Sequence, residues 1–177
     1  FVHITDKPGS RTDYKASYAA AYRDEFSRPR DIHHLYGEQN LFRYLPLKSM
    51  ALRLFPGDTD EQAAMVACAA RLCGTPLTIS FVPSDDRSKT LASLGCTLRK
   101  EPLDNFLASI SGYERIRTCR ADLPAEMYAK AAAADKYIAT AAPVKEGRVE
   151  LIHYIKEQSI AFEYHRYGSI SEVPADE

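Results

Sequence analysis

A repeated alternation of strand-like and helical segments between residues 49 and 144 is the feature that most limits the possible folds. Apolar strand-like runs start at Ser49 and Pro76, and each is followed by a helical run that ends at a glycine. The predicted strands are Ser49–Phe55, Pro76–Val82, Cys96–Arg99, Glu114–Cys119 and Tyr137–Val144, and the predicted helices are Thr59–Cys73, Asp86–Leu94, Leu103–Ile110 and Asp122–Asp135. Short connections between alternating strands and helices favour parallel pairing with right-handed crossovers. The sequence therefore predicts an α/β fold, a Rossmann-like, open, mostly parallel sheet with helices on both faces.

The two ends of the chain depart from this alternation. Tyr14 to Phe26 places aromatic residues at steps of three and four, which predicts a short helix that docks through an aromatic face. Residues 31–48 are interpreted as a linker followed by an extended segment, Asn40–Leu47. Val149, Leu151, Ile152 and Ile155 are spaced as an apolar stripe on a helix. Ser159–His165 alternates apolar and polar residues, which predicts a half-buried strand. We therefore expect three parts: an N-terminal helical and extended arm (1–48), the Rossmann-like domain (49–146), and a C-terminal helix with a β-flap strand and a frayed tail (147–177).

Composition excludes several classes of protein. The formal net charge is -1 and 45% of the residues are hydrophobic, which argues against a dedicated nucleic-acid binder and against a disordered chain. No apolar run is long enough to predict a membrane span. The chain starts at Phe1 without a visible secretory leader, so we expect a piece of a larger protein. Its four cysteines fit no metal knuckle, and we expect reduced thiols in a cytoplasmic protein.

The first strand–helix turn is where a Rossmann domain would hold a dinucleotide. Here that turn contains one glycine, Gly57, where the usual motif has three, and it carries Asp58, Asp60 and Glu61. We expect these carboxylates to cap the helix and to repel a phosphate. The sequence thus predicts a closed site with no cofactor-binding residue. Since no nucleophile–base pair or metal-ligand spacing is present, it also predicts no catalytic and no metal-binding residue.

The last predicted strand is the most promising interaction surface. It has no following helix to cover it, and we expect its unpaired backbone to invite another chain. Ile160, Phe162 and Tyr164 lie on one face. His165 follows in a dense aromatic and cationic cluster that could serve as an acid/base or an anion contact; we favour aromatic–cation packing at an interface. The candidate interface residues are Ile160, Phe162, Tyr164, His165, Arg166 and Tyr167.

Two motifs carry a resemblance to a known family. EFSRPRDIHHLYGEQNLFRYLPL (Glu25–Leu47) and EGRVELIHYIKEQSIAFEYHRYG (Glu146–Gly168) resemble the C-terminal region of bacterial proline utilization A. That family couples an FAD-dependent proline dehydrogenase to an NAD-dependent 1-pyrroline-5-carboxylate (L-glutamate gamma-semialdehyde) dehydrogenase. The resemblance covers residues 14 to 170 and falls outside both catalytic parts.

The resemblance implies a non-catalytic domain of the aldehyde dehydrogenase superfamily fold, without its own cofactor. Such a domain packs on the aldehyde dehydrogenase and proline dehydrogenase domains of the same polypeptide and covers the channel for the intermediate. The β-flap is expected at Ser159–His165. Two alternatives remain open at this stage. One is a small nucleotide- or metabolite-binding module at the carboxyl edge of the sheet, and the other is a self-association module that forms a homodimer through the last strand.

Overall fold

The computed structural model describes residues 13–32, 34 and 38–163. Its N-terminal arm begins with helix α1 (Tyr14–Ala21), which is capped by the Asp13 side chain and continues as a short π-helix, Tyr22–Phe26. The predicted aromatic face is confirmed, because Tyr18, Ala21 and Phe26 are buried. Strands β1 (Arg30–Asp31) and β2 (Glu38–Pro46) follow.

The predicted parallel sheet is confirmed in the middle of the chain. Its strands and helices are β3 (Met50–Arg53), α2 (Asp60–Leu72), β4 (Leu77–Phe81), α3 (Ser88–Ala92), β5 (Thr97–Lys100), α4 (Leu103–Ala108), β6 (Arg115–Thr118), α5 (Ala125–Ala133) and β7 (Tyr137–Ala139). All neighbouring strands are parallel, in the order β5-β4-β3-β6-β7, and the sheet is open. The chain progresses to one side through β4 and β5 and then returns to the other side through β6 and β7. The direction of winding therefore reverses between β3 and β6.

Helices cover both faces of this sheet, as predicted. One apolar cluster joins the sheet to α1 and α2 and includes Leu52, Val66 and Tyr18. The other joins it to α4 and α5 and includes Phe106 and Met127. No helix within the described residues is long and apolar enough to cross a bilayer.

The C-terminal part forms a second sheet with the arm. Helix α6 (Gly147–Glu150) passes into a 3₁₀ turn (Leu151–Tyr154) and then strand β8 (Ile155–Glu163). All nine residues of β8 pair antiparallel with β2, and β1 pairs on the other side of β2. We call this three-stranded sheet the flap.

The flap corrects two expectations. The last strand is not left unpaired: its partner is the extended segment that follows the predicted linker. Only its outer edge lacks a neighbouring strand among residues 38–163. The expected apolar helix stripe at Val149, Leu151, Ile152 and Ile155 is also only partly formed. Leu151 and Ile155 are buried, whereas Val149 and Ile152 are exposed because the helix tightens into a 3₁₀ turn after one turn. The divisions expected at residues 48 and 146 stay predictions.

Candidate functional site

The crevice between the carboxyl ends of β3 and β6 is the place where an open parallel sheet usually binds ligands. Two loops form it: the turn that leads from β3 to α2, and the loop that leaves β6. Gly57, in the first loop, has a φ of +93°, a conformation that suits glycine and allows close approach to its backbone. The group that lies against the Gly57 backbone therefore decides whether the crevice can hold a ligand.

A side chain of the protein itself fills the crevice. Arg120, from the loop after β6, donates from Nη2 to Asp58 Oδ1 (3.1 Å) and to the Pro56 carbonyl (2.7 Å), and from Nε to Asp58 Oδ1 (3.2 Å). Its guanidinium lies 5.6 Å from the centre of the Phe55 ring. A Cβ atom placed on Gly57 would lie 3.4 Å from Arg120 Nη2. The guanidinium therefore covers the surface that the glycine would offer to a diphosphate.

The start of α2 is capped, as predicted, but by different side chains. Thr59 Oγ1 accepts from the Gln62 backbone N–H (3.2 Å), and Gln62 Oε1 accepts in return from the Thr59 N–H (2.8 Å). Asp58 instead accepts from the Phe55 N–H (2.8 Å) and pairs with Arg120. The expectation that the carboxylates provide the capping hydrogen bonds is therefore wrong, since Thr59 and Gln62 form the capping box. Asp60 and Glu61 do lie in the first turn of α2, where their charge suits the positive end of the helix.

A second arginine ties the neighbouring loop to the same turn. Arg87, in the loop after β4, contacts both oxygens of Asp85 (2.6 Å at the closest) and donates to the Asp58 carbonyl (2.6 Å) and to Asp60 Oδ1 (3.3 Å). The hydrogen bond from Arg87 lowers the pKa of Asp85. A concavity of about 490 Å³ lies between these loops and includes Asp86 in its lining. Its walls carry four aspartates, so a phosphate entering it would meet like charge.

A buried ion-pair network lies beside the carboxyl end of β6. Arg117 and Glu150 are each 1% exposed, and Arg117 Nη2 lies 3.1 Å from Glu150 Oε1. Tyr154 donates to the same carboxylate (2.6 Å), and so does the Val144 backbone N–H (3.0 Å). Burial, together with the charge of Glu150, raises the pKa of Tyr154. Because the two charges are paired with each other and almost fully buried, although Arg117 Nε has no hydrogen-bond partner within the described part of the chain, we assign the network to stability.

Sequence reasoning missed this network, although one sign of it was present. Arg117 stands in a strand predicted to lie inside a parallel sheet covered on both faces, and a charged residue at such a position needs a buried partner. The identity of the partner, Glu150 on α6, could not be read from spacing. Arg53 is buried in the same way on the opposite face of the sheet, where it donates to Ser80 Oγ (2.7 Å) and to the Glu101 carbonyl (3.0 Å).

The described residues offer little reactive chemistry. No group of three or more potential ligands is arranged to hold a metal ion among residues 13–32, 34 and 38–163. The four cysteines are free thiols. Burial raises the pKa of Cys73 and of Cys119 to about 12, which keeps both thiols protonated near neutral pH.

The two faces of the flap carry different side chains. On one face Tyr44 packs edge-on against Phe26 of the arm, with ring centres 4.9 Å apart, and Phe42 packs against Tyr44. On the other face Leu41 lies opposite Ile160, and Gln39 lies opposite Phe162. The Phe162 side chain is 48% exposed. We call this second face the flap face.

The structure brings two of the predicted interface residues together. Ile160 and Phe162 both lie on the flap face, Ile160 half-buried and Phe162 exposed. Tyr164, His165, Arg166 and Tyr167 lie outside the described residues, as does the rest of the predicted strand Ser159–His165 beyond Glu163. Sequence reasoning missed the contribution of β2, which supplies Leu41 and Leu45 to the same face. The signal was the apolar and aromatic composition of Asn40–Leu47, which favours a strand.

The chain is similar to solved structures, and one of these similarities extends over nearly its whole length. The structure of proline utilization A from Corynebacterium freiburgense matches 92% of this chain with a TM-score of 0.64 and 27% sequence identity. The match occupies 14% of that protein's chain. No protein-family model matches the chain, and no curated protein does.

More distant neighbours show the fold. Histidinol dehydrogenase from Elizabethkingia anophelis matches 73% of this chain, and 34% of its own, with a TM-score of 0.55 and 11% identity. An NAD+ complex of an aldehyde dehydrogenase from Bacillus cereus matches 75% of this chain, and 30% of its own, with a TM-score of 0.54 and 12% identity. The chain is thus a domain similar to one in proline utilization A, with a fold that aldehyde dehydrogenases share.

Proposed function

We propose that this chain is a non-catalytic, C-terminal domain of a bifunctional proline-catabolic enzyme that converts proline to glutamate. In this role it packs on the aldehyde dehydrogenase domain and covers the channel through which pyrroline-5-carboxylate, or glutamate semialdehyde, passes between the two active sites. One observation carries the proposal: the likeness to proline utilization A extends over 92% of the chain. The parent polypeptide would supply FAD and NAD in its catalytic domains.

The crevice supports the non-catalytic part of this proposal. The fold that this chain shares with an NAD+-bound aldehyde dehydrogenase suggests a dinucleotide site, but the residues here do not fit a diphosphate. Arg120 covers Gly57, and a capping box of Thr59 and Gln62 occupies the start of α2. Four aspartates line the adjoining concavity. These groups brace three loops against one another and place carboxylates where a phosphate would enter.

The flap supports the docking part. Its face presents Leu41, Leu45, Ile160 and Phe162, and the outer edge of β8 has no strand beside it within residues 38–163. An exposed aromatic residue beside an open strand edge is typical of a protein–protein contact. We propose that the aldehyde dehydrogenase and proline dehydrogenase domains of the same polypeptide are its partners. Pairing with a second copy of the chain would be the competing result.

The test uses the whole polypeptide that carries this domain. Phe162→Asp on the flap face should leave proline oxidation and semialdehyde oxidation unchanged when each is assayed alone, but a lag should appear in NADH formation from proline because the intermediate escapes. Tyr128→Asp is the matched control, since Tyr128 is an equally exposed aromatic residue (44%) on α5. An unchanged time course in the Phe162 variant would contradict the proposed cover.

The concavity of about 490 Å³ favours one second candidate, a small-metabolite module at the carboxyl edge. Calorimetric titration of the chain with NAD and with free nucleosides separates the two functions. We expect no saturable heat with either compound. Saturable binding that is lost in Asp86→Asn would favour the metabolite module over the docking domain.

A further inference from the structure

The base of the flap is held by a set of polar contacts at the amino-terminal edge of the parallel sheet, opposite to the crevice. Arg115, the first residue of β6, donates from Nη1 to the carbonyls of Ile152 (3.1 Å), His153 (2.8 Å) and Ile155 (3.3 Å). Its guanidinium also lies 5.5 Å from the centre of the Tyr137 ring. One side chain of the sheet thus holds the entire turn from which β8 departs.

The residue before Arg115 contacts both long strands of the flap. Glu114 Oε1 accepts from Lys156 Nζ of β8 (2.8 Å), and Oε2 accepts from the backbone N–H of Lys48, just after β2 (2.5 Å). The Glu114 backbone N–H in turn donates to the Ser49 carbonyl (3.1 Å). Charge-assisted hydrogen bonds of this kind are directional, so the carboxylate fixes the two strands relative to β6.

A third residue, which lies just before β4, contacts the same part of the flap, where β2 ends and β8 begins. Thr75, which is buried, donates from Oγ1 to the Tyr154 carbonyl (2.6 Å), while Oγ1 accepts from the Leu47 N–H (3.0 Å). The Leu47 N–H also lies 3.4 Å from the Tyr154 carbonyl. Arg115, Glu114 and Thr75 together surround the place where β2 ends and β8 begins, and we call them the flap clamp.

A small rotation at the base of the flap moves its far end over a long distance. Nine residues at roughly 3.3 Å each make the β2–β8 ribbon about 30 Å long, so a swing of about 10° at its base moves its far end by about 5 Å. Phe162, at the far end, would lose register with any docked surface after such a movement. Packing of Phe26 on Tyr44 supports the face of the flap that carries Tyr44.

We propose that the flap clamp sets the angle of the flap to the parallel sheet, and that Arg115 is the positioning residue on which correct presentation of the flap face depends. The presentation part of this inference rests on the proposed function. The angle itself is a property of the chain and is measured separately. Arg115 acts through three backbone carbonyls, so a side chain that keeps a cationic donor should retain part of the effect.

The angle is tested by spin-label distance measurements on the chain with Ala161→Cys on the flap and Lys89→Cys on α3, in a background with Cys68→Ser and Cys96→Ala. Both labelled positions are exposed. Arg115→Leu should at least double the width of the distance distribution. Arg115→Lys should recover part of the narrow width, and Arg99→Leu, at an exposed arginine on β5, should leave it unchanged.

A distribution in Arg115→Leu as narrow as that of the parent chain would overturn the clamp. If Arg115→Leu fails to fold, Lys156→Met removes only the contact to Glu114, and an unchanged width in that variant overturns the proposal equally. Arg115→Leu in the whole polypeptide tests the proposed function independently, through the lag in NADH formation from proline. A broadened distribution without escape of the intermediate supports the clamp and contradicts the covering role.

Discussion

The crevice and the flap use their side chains in opposite ways. At the crevice, Arg120 and Arg87 are both committed to carboxylates and carbonyls of the same chain, and three loops are tied together by them. At the flap, Phe162 is half exposed and the edge of β8 is open among the described residues. Where charged groups are matched internally, little is left to bind a ligand. Where apolar surface and an open strand edge remain, another protein surface can gain free energy by covering them.

This difference sets expectations for mutations. Substitutions among internally partnered groups should lower the free energy of unfolding, because each removes a partner from a buried group. Substitutions on the flap face should leave the free energy of unfolding almost unchanged and affect association instead. If both classes of variant lowered the free energy of unfolding equally, the contrast between the crevice and the flap would be wrong.

The largest effect is expected at the buried ion pair. Glu150→Ala leaves the Arg117 guanidinium buried without its carboxylate, and we expect a loss of about 3–5 kcal/mol in the free energy of unfolding. Chemical denaturation followed by circular dichroism measures it. Glu126→Ala, at an exposed glutamate in the first turn of α5, is the control and should cost less than about 1 kcal/mol. Equal losses in both variants would show that the ion pair is not the support we describe.

The next effect is expected where α1 meets α6. A Cβ at Gly147 would lie 2.5 Å from the Ser17 carbonyl oxygen and 2.8 Å from Ala21 Cβ, so Gly147→Ala must push α1 away. We expect a destabilisation of about 1–3 kcal/mol. Faster hydrogen exchange in α1 than in the parallel sheet would accompany it. Gly112→Ala, where a Cβ has nothing within 4 Å, should be silent, and a loss of the same size there would refute the packing argument.

A smaller effect is expected from His153, whose pKa is lowered mainly by burial and further by Arg117 and Arg115. The unfolded chain then takes up its proton first as the pH falls below the ordinary value of 6.5. Stability is therefore lost from about that pH down to the folded-state pKa. Thermal unfolding between pH 7.5 and 5.5 should show a falling midpoint that His153→Asn flattens. His34→Asn, at an exposed histidine, should keep the full slope; a parallel slope in His153→Asn would contradict this assignment.

The smallest effect on stability is expected on the flap face. Phe162→Ser exposes no buried group, so the free energy of unfolding should change by no more than about 0.5 kcal/mol. Tyr128→Ser gives the matched value for an exposed aromatic residue on α5, which also loses a hydrogen bond to the Ala121 carbonyl. A Phe162 variant that unfolds as easily as Glu150→Ala would place the flap face in the core and remove the contrast with the crevice.

Local patterns in the sequence predicted the parallel part of the fold well. The order of strands and helices from Met50 to Ala139 follows from apolar runs punctuated by glycine and proline, which are signals confined to a few residues. One glycine among carboxylates at the first strand–helix turn is also a local signal, and the absence of a cofactor that it predicts stays a prediction. The capping residues were not foreseen, since Thr59 and Gln62 form a capping box that the acidic residues around them obscured.

Pairing between segments that are distant in the sequence could not be predicted from such local signals. Arg43 and Gln158 are 115 residues apart and share a hydrogen bond across β2 and β8, and nothing in either segment alone identifies the other. Arg120 and Asp58 are 62 residues apart. The flap and both arginine braces therefore depend on topology, which determines the segments that meet only after the sheet has formed.

Hydrogen–deuterium exchange of the chain, alone and with the catalytic portion of its polypeptide, tests the central contrast most directly. We expect the catalytic portion to protect backbone amides in β8 and β2 from exchange and to leave exchange at residues 56–61 unchanged. Protection confined to residues 56–61, with β8 unaffected, would contradict it, because the crevice rather than the flap would then be the working surface.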